Sequence, residues 1–169
     1  EEEPEKILEE IQMTVLNQQS EFNRIWDMII EELKEQKIFL ITEKDLNEEQ
    51  KEFVTTYYDE EVSPNIIPLM IESIPDLPYL RDKSIYLGVV MWKKESALKR
   101  MYSIIEVPTT VMNRFLLLPS PDNEQHILLL EDVIRFNLPE IFNYFGYDQY
   151  QASVFKVTKD AEIDIDNDV

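Results

Sequence analysis

Cysteine is absent from this 169-residue chain, which removes disulfide frameworks, thiol nucleophiles and zinc–thiolate sites together. Glycine is nearly absent as well, with only Gly88 and Gly146 present. A phosphate-cradling loop needs several glycines so that backbone N–H groups can approach oxygens closely. Neither a Walker loop nor a dinucleotide fingerprint is therefore encoded. Histidine occurs once, as His126, too few for a multi-histidine metal centre. No apolar run approaches the ~20 residues that span a bilayer. The acidic opening, EEEPEKILEE, is the reverse of a signal or transit peptide. A soluble protein is expected, cytoplasmic in location, with no transmembrane segment.

Basic residues are the other scarcity: 16 Lys and Arg stand against 35 Asp and Glu, a net charge of −19. So negative a surface repels nucleic acid, because phosphate binding needs clustered cations. The imbalance is uneven. Residues 1–61 carry 19 acidic and 6 basic side chains, whereas residues 81–118 carry 7 basic and 3 acidic. That second stretch holds Arg81, Lys83, Lys93, Lys94, Lys99 and Arg100, the candidate contacts for a polyanion, with Arg114 further on. Its bland reading is a solvated strand edge dressed with lysine against aggregation.

What the chain has is an apolar content of 44% and an aromatic content of 11%, enough to bury a core. Leu8, Ile11, Val15, Phe22, Ile25, Ile29 and Leu33 recur at spacings of three, four or seven with no Gly or Pro from Glu5 to Gln36. This predicts one amphipathic helix of about 32 residues, roughly 48 Å long. A short β-prone run, KIFLI, follows at 37–41. A second helix is expected from an N-cap at Asn47, with Leu46, Phe53, Val54, Tyr57 and Tyr58 along one side. Pro64 and Pro68 then force an extended exit, and IPDLPYL reads as a Pro-punctuated loop. Strands are predicted at 84–92, 101–108, 114–119, 126–131 and 153–164. Between the last two, residues 130–142 read as a helix that Pro139 interrupts or restarts. The class is α+β: a long N-terminal amphipathic helix, then a mixed or antiparallel sheet with covering helices.

Chemistry is sparse. His126 opens a β-prone run with no Ser, Cys or Asp partner in view, and reads as a partly exposed strand-end histidine. Glu131 and Asp132 open the 130–142 helix, where acidic residues favour the N-terminus. Asp164, Asp166 and Asp168 fit the first three positions of a calcium loop, but Val169 stands where the sharp-turning glycine belongs. The metal reading fails there. No catalytic, cofactor-binding or metal-ligating residue is assigned from the sequence.

Four stretches, in order, resemble the large polyphosphate kinases that work through a phosphohistidine. VSPNIIPLMI carries a Pro68–Leu69 pair, and DLPYLRDKSIYLGVVM follows as a loop and strand. YSIIEVPTTVMNRFLLLPS carries Val107–Pro108, Arg114–Phe115 and Leu118–Pro119. LLLEDVIRFNLPEIF then precedes FKVTKDAEIDID, where Lys159 replaces the family's usual arginine, keeping charge but losing a bidentate fork. The resemblance implies that residues 1–36 are the last helix of an N-terminal helical domain. Residues 37–169 would be the first part of the head (middle) domain, with the acidic C-terminus a cut edge. It further implies a parent enzyme that transfers the terminal phosphate of ATP reversibly to inorganic polyphosphate, using magnesium and a phosphorylated histidine. The catalytic histidine, the phosphate-clamping arginines and the magnesium ligands of such a parent would lie outside this chain, so ATP and Mg2+ are implied for the parent and none for this piece. The piece itself would be inactive and structural, supporting a homo-oligomer through the head domain and the wall of a polyphosphate channel. Its partners would be the rest of its own polypeptide and polyphosphate. The competing reading is a free-standing acidic interaction module. A small metal-dependent enzyme using the C-terminal aspartates is the weakest of the three.

Overall fold

The computed structural model describes residues 4–73 and 79–158. Asp164, Asp166 and Asp168, and Lys159, lie outside the described residues, as does most of the IPDLPYL loop. The first element is α1 (Pro4–Glu35), 32 residues long, with Pro4 at its start and Glu5 in its first turn. None of its residues is buried. Ile7 and Trp26 join the stripe that the sequence outlined, and the stripe faces outward from Ile7 to Ile29, with Leu33 half-buried near the end of the helix.

After a left-handed Lys37 (φ 60°), β1 (Ile38–Ile41) forms where KIFLI predicted it. α2 (Glu48–Tyr57) begins with a capping box at Asn47: its side chain accepts from the Gln50 N–H at 2.9 Å, and Gln50 Oε1 accepts from the Asn47 N–H at 3.2 Å. Two orphan helix-end groups are thereby satisfied. The buried face reads Leu46, Gln50, Val54, Tyr58 and Val62, a strict spacing of four. On an ideal α-helix that spacing drifts about 40° per step. A wider π-turn at Tyr58–Val62 takes the drift back and keeps Val62 in the core. Phe53, expected on this face, is exposed instead; Gln50 occupies the stripe. Pro64 does not extend the chain at once, because Ser63–Asn65 first makes a 3₁₀ turn. β2 is only Leu69–Met70.

β3 (Ile85–Lys93) and β4 (Ser96–Glu106) form a long antiparallel hairpin. β5 (Phe115–Leu118) and β6 (Gln125–Leu129) form a shorter one. α3 (Leu130–Phe136) stops at Asn137, and α4 (Leu138–Ile141) restarts with Pro139 in its first turn, the interruption that Pro139 predicted. β7 (Gln149–Lys156) begins four residues earlier than the sequence pattern suggested, because Tyr150 and Ala152 also pack against the core. Gly146 sits at φ +65° to close the turn before β7, a conformation only glycine adopts freely.

The strands fall into two sheets rather than one. The first is three-stranded in the order β1-β6-β5, with β1 parallel to β6 and β5 antiparallel to it. The second is antiparallel in the order β2-β4-β3-β7. Leu87, Val89, Met91 and Ile105 on one face of the larger sheet are essentially buried. They join a core with Val54, Val62, Leu128, Val133, Ile134, Leu138 and Phe142. Each such side chain contributes about 1.5–3 kcal/mol on leaving water. On the opposite face Tyr86 stacks on Phe155 at 5.5 Å, and a Cβ on Gly88 would stand 3.4 Å from that Phe155 ring. Glycine leaves the space into which the Phe155 ring closes.

Candidate functional site

Two groups of polar residues rise above the apolar framework. The first is buried and lies at the start of α3. The backbone N–H of Leu130 donates to the Arg114 carbonyl at 2.8 Å, which brings the head of α3 beside the start of β5. Arg114 then directs its guanidinium at Glu131, with Nε donating to both carboxylate oxygens at 3.2 Å and Nη2 donating to Oε1. The Glu131 side chain is 3% exposed. One residue on, Asp132 accepts from Arg135 within the same helix, and Arg135 also reaches Glu43 in the β1–α2 connection at 3.3 Å. Two carboxylates therefore share one guanidinium. Burial, only partly offset by Arg135 and reinforced by the nearby Glu43 and Glu131, pushes the Asp132 carboxyl up to about 6. Glu131 hydrogen-bonded to Arg114 moves that guanidinium above its ordinary value.

The sequence marked Glu131 and Asp132 only as favourable helix-start charges. Both are instead enclosed and individually paired, to Arg114 and Arg135. The available signal was Arg135 three residues after Asp132, together with the apolar residues flanking the pair on both sides. A cavity of about 480 Å3 opens beside this network, lined by Glu43, Lys44, Arg135, Phe136, Tyr150 and Gln151 among others.

His126 is the second residue of β6 and has partners that the sequence did not reveal. Gln50 Nε2 lies 2.9 Å from the Pro119 carbonyl and 2.9 Å from His126 Nδ1. Because Gln50 Oε1 is committed to the capping box, its amide nitrogen must face the ring, and Nδ1 must accept. The ring proton then sits on Nε2 and is donated to Glu124 Oε2 at 2.9 Å. Phe39 meets the ring edge-on at 5.5 Å. With both nitrogens engaged, His126 is a structural joint between α2 and the β5–β6 hairpin. Glu124, two residues before it, was the readable hint.

The second polar group is the basic set at 81–100, and the fold divides it. Arg81 and Lys83 precede β3. Arg81 lies 3.8 Å from Glu106, in a groove with Ile67, Leu69, Tyr79 and Val111. Lys83 adopts φ 61° and its N–H donates to the Val157 carbonyl at 2.8 Å. Lys93, Lys94, Lys99 and Arg100 gather at the far end of the hairpin, roughly 27 Å away along β3. The six residues form two separate groups rather than one.

Among the described residues, no three His, Cys, Asp or Glu side chains come together to hold a metal ion. The enclosed carboxylates are already taken by arginine. Among the described residues, no set of side chains fits a magnesium centre, and no step of phosphoryl transfer is assigned to them. No helix among the described residues is long and apolar enough to cross a membrane.

Comparison with known proteins adds an independent line. The family model described as the polyphosphate kinase middle domain matches residues 49–169. The polyphosphate kinase of Vibrio parahaemolyticus is 32% identical over 168 residues, covering 97% of this chain and 24% of the relative. That of Escherichia coli K12 is 31% identical over 163 residues, covering 94% and 23%. The crystal structure of polyphosphate kinase from Porphyromonas gingivalis superposes with a TM-score of 0.81 at 28% identity, covering 91% of this chain and 26% of that one. The chain thus spans about a quarter of the length of the relatives it matches.

Proposed function

The chain belongs to the polyphosphate kinase family, and we propose that it is a non-catalytic portion of an enzyme transferring the terminal phosphate of ATP to inorganic polyphosphate. Residues 1–36 serve in this reading as the closing helix of a preceding helical domain, and residues 37–169 as the opening part of the middle domain. Its role is structural: it supports a homo-oligomer and contributes to the wall past which polyphosphate runs. ATP, magnesium and the phosphorylated histidine act in other parts of the parent polypeptide, in the cytoplasm. The observation that carries this reading is the match of residues 49–169 to the family's middle domain. The pairing of both His126 nitrogens supports it, since that ring is committed to Gln50 and Glu124.

The test compares the complete parent with the 169-residue chain. Incorporation of label from γ-labelled ATP into acid-insoluble polyphosphate is expected in the parent and absent in the chain alone. Turnover by the chain alone, or none by the parent, overturns the reading. A second reading, a free-standing acidic interaction module, draws on one observation: the outward-facing apolar stripe of α1. Under the first reading the isolated chain self-associates through that stripe. A strictly monomeric chain favours the second.

A further inference from the structure

We propose that His126 is a pH-sensitive latch: a proton added at Nδ1 releases the head of α2 from the β5–β6 hairpin. The hydrogen bonds around the ring run in one direction without a gap. The Asn47 N–H donates to Gln50 Oε1 at 3.2 Å, and Gln50 Nε2 donates to the Pro119 carbonyl and to His126 Nδ1, both at 2.9 Å. Both amide hydrogens of Gln50 are thereby used. The ring in turn donates from Nε2 to Glu124 Oε2 at 2.9 Å. The backbone of His126 is held separately, its N–H donating to Ser120 Oγ at 2.9 Å and that hydroxyl to the Leu118 carbonyl at 2.8 Å.

An imidazolium carries a hydrogen on each nitrogen, so a second proton sets a donor at Nδ1 against the Gln50 amide donor. Glu124 accepts from Nε2 in either charge state, and the conflict falls on Gln50. That side chain is enclosed, at 1% exposure. Rotating its amide by half a turn gives the Nδ1 hydrogen an acceptor. The same rotation sets two oxygens face to face at Pro119 and two donors face to face at Asn47, which dissolves half of the capping box. Without the rotation, ring and amide part, and α2 loses its tie to the hairpin. Either route leaves a buried polar group unmatched at the first turn of α2, which solvent does not repay. The charged groups on the elements around the ring are Glu48 and Glu49 in the first turn of α2, Lys37 before β1, and Asp122 and Glu124 in the β5–β6 connection. Glu48 is paired with Lys51, and Glu124 is the group in contact with the ring. What the second proton disturbs is therefore hydrogen-bond direction rather than charge.

The 169-residue chain has one histidine, so its imidazole nitrogen resonances report this ring alone. They are followed from pH 7.5 to 5.5, where histidine titrates, beside the hydrogen-exchange protection of the Asn47 backbone N–H. At pH 7.5 the neutral ring is expected as the Nε2–H tautomer. As it protonates, Asn47 protection is expected to fall about 10-fold with the same midpoint. His126→Asn keeps an acceptor for Gln50 but cannot titrate, and its Asn47 protection is expected to stay level. Asp132, whose carboxyl is raised to about 6, titrates in the same window and is intact in that variant. Gln50→Glu offers an acceptor both to Asn47 and to a protonated Nδ1, and is likewise expected to remove the fall. The proposal is overturned if the ring stays neutral down to pH 5.5 or if Asn47 protection holds while the ring protonates. It is equally overturned if His126→Asn loses protection as the wild type does, which would assign the effect to Asp132.

Discussion

Replacing Asp132 by Asn is the most informative single perturbation of the buried network. The side chain is 8% exposed, and its carboxyl is raised from 3.8 to about 6, first by burial and then by Glu43 and Glu131. A displacement of that size corresponds to at most about 3 kcal/mol. The sign follows from where the proton is held more tightly. A carboxyl whose folded value is raised favours the folded state fully below pH 3.8, and that contribution is lost as pH rises through about 6. At pH 7.5 the wild-type chain therefore carries an ionised, incompletely compensated Asp132. Asparagine keeps the shape and one acceptor for Arg135 but not the charge. It forfeits the charge-assisted part of that bond, about 1 kcal/mol. Asp132→Asn is expected to be more stable than wild type by about 1–2 kcal/mol at pH 7.5 and equal to it near pH 4. Urea denaturation followed by Trp92 fluorescence at pH 4, 6 and 7.5 reads the difference directly. A variant less stable than wild type at pH 7.5 would mean that the Arg135 pair outweighs desolvation, and the reasoning would be refuted.

Arg114→Met leaves the Glu131 carboxylate buried without its partner and is expected to cost about 3–5 kcal/mol in urea denaturation, while Arg114→Met/Glu131→Leu recovers most of it; a single variant within 1 kcal/mol of wild type would show that Glu131 reaches water. Gln50→Ala removes half of the capping box and the links to Pro119 and His126, an expected loss of about 1–3 kcal/mol by the same measurement. Ser103 faces the core opposite Val89 and Met70, and its hydroxyl has no partner among the described residues; Ser103→Ala should therefore raise stability by about 1 kcal/mol, and a decrease would reveal an ordered water bound there.

The elements were legible where a side-chain period survives locally. α1 was read almost to the residue because nine of its apolar side chains share one arc, and β3 because Leu87, Val89 and Met91 alternate with Tyr86, Gly88 and Val90. The π-turn at Tyr58–Val62 was not legible, since a strict spacing of four in Leu46, Gln50, Val54, Tyr58 and Val62 includes a glutamine that looks polar in sequence. Its burial depends on His126, 76 residues away. Two sheets rather than one were equally hidden. Strand pairing is decided by which strand lies alongside, and the parallel neighbour of β1 is β6, separated from it by the whole of the larger sheet's first three strands.

Charge was the least readable quantity, and the two polar groups show why. Net charge identified 81–118 as basic, but the value of a cation depends on its distance from the next one. The length of β3 separates Arg81 and Lys83 from Lys93 and Lys94 by roughly 27 Å, several Debye lengths at physiological salt. A composition window sums what the fold separates. At the start of α3 the opposite happened: Arg114, Glu131, Asp132, Arg135 and Glu43 span 92 residues of sequence between Glu43 and Arg135, yet meet in one enclosed network. A window over any of these residues reads a mixture of signs with no consequence. Burial turns the Arg114–Glu131 part of that mixture into a paired ion, where removal of one partner has a large cost and removal of both has little. The sequence carries the residues of such a network in plain view, and the fold alone decides which of them are neighbours.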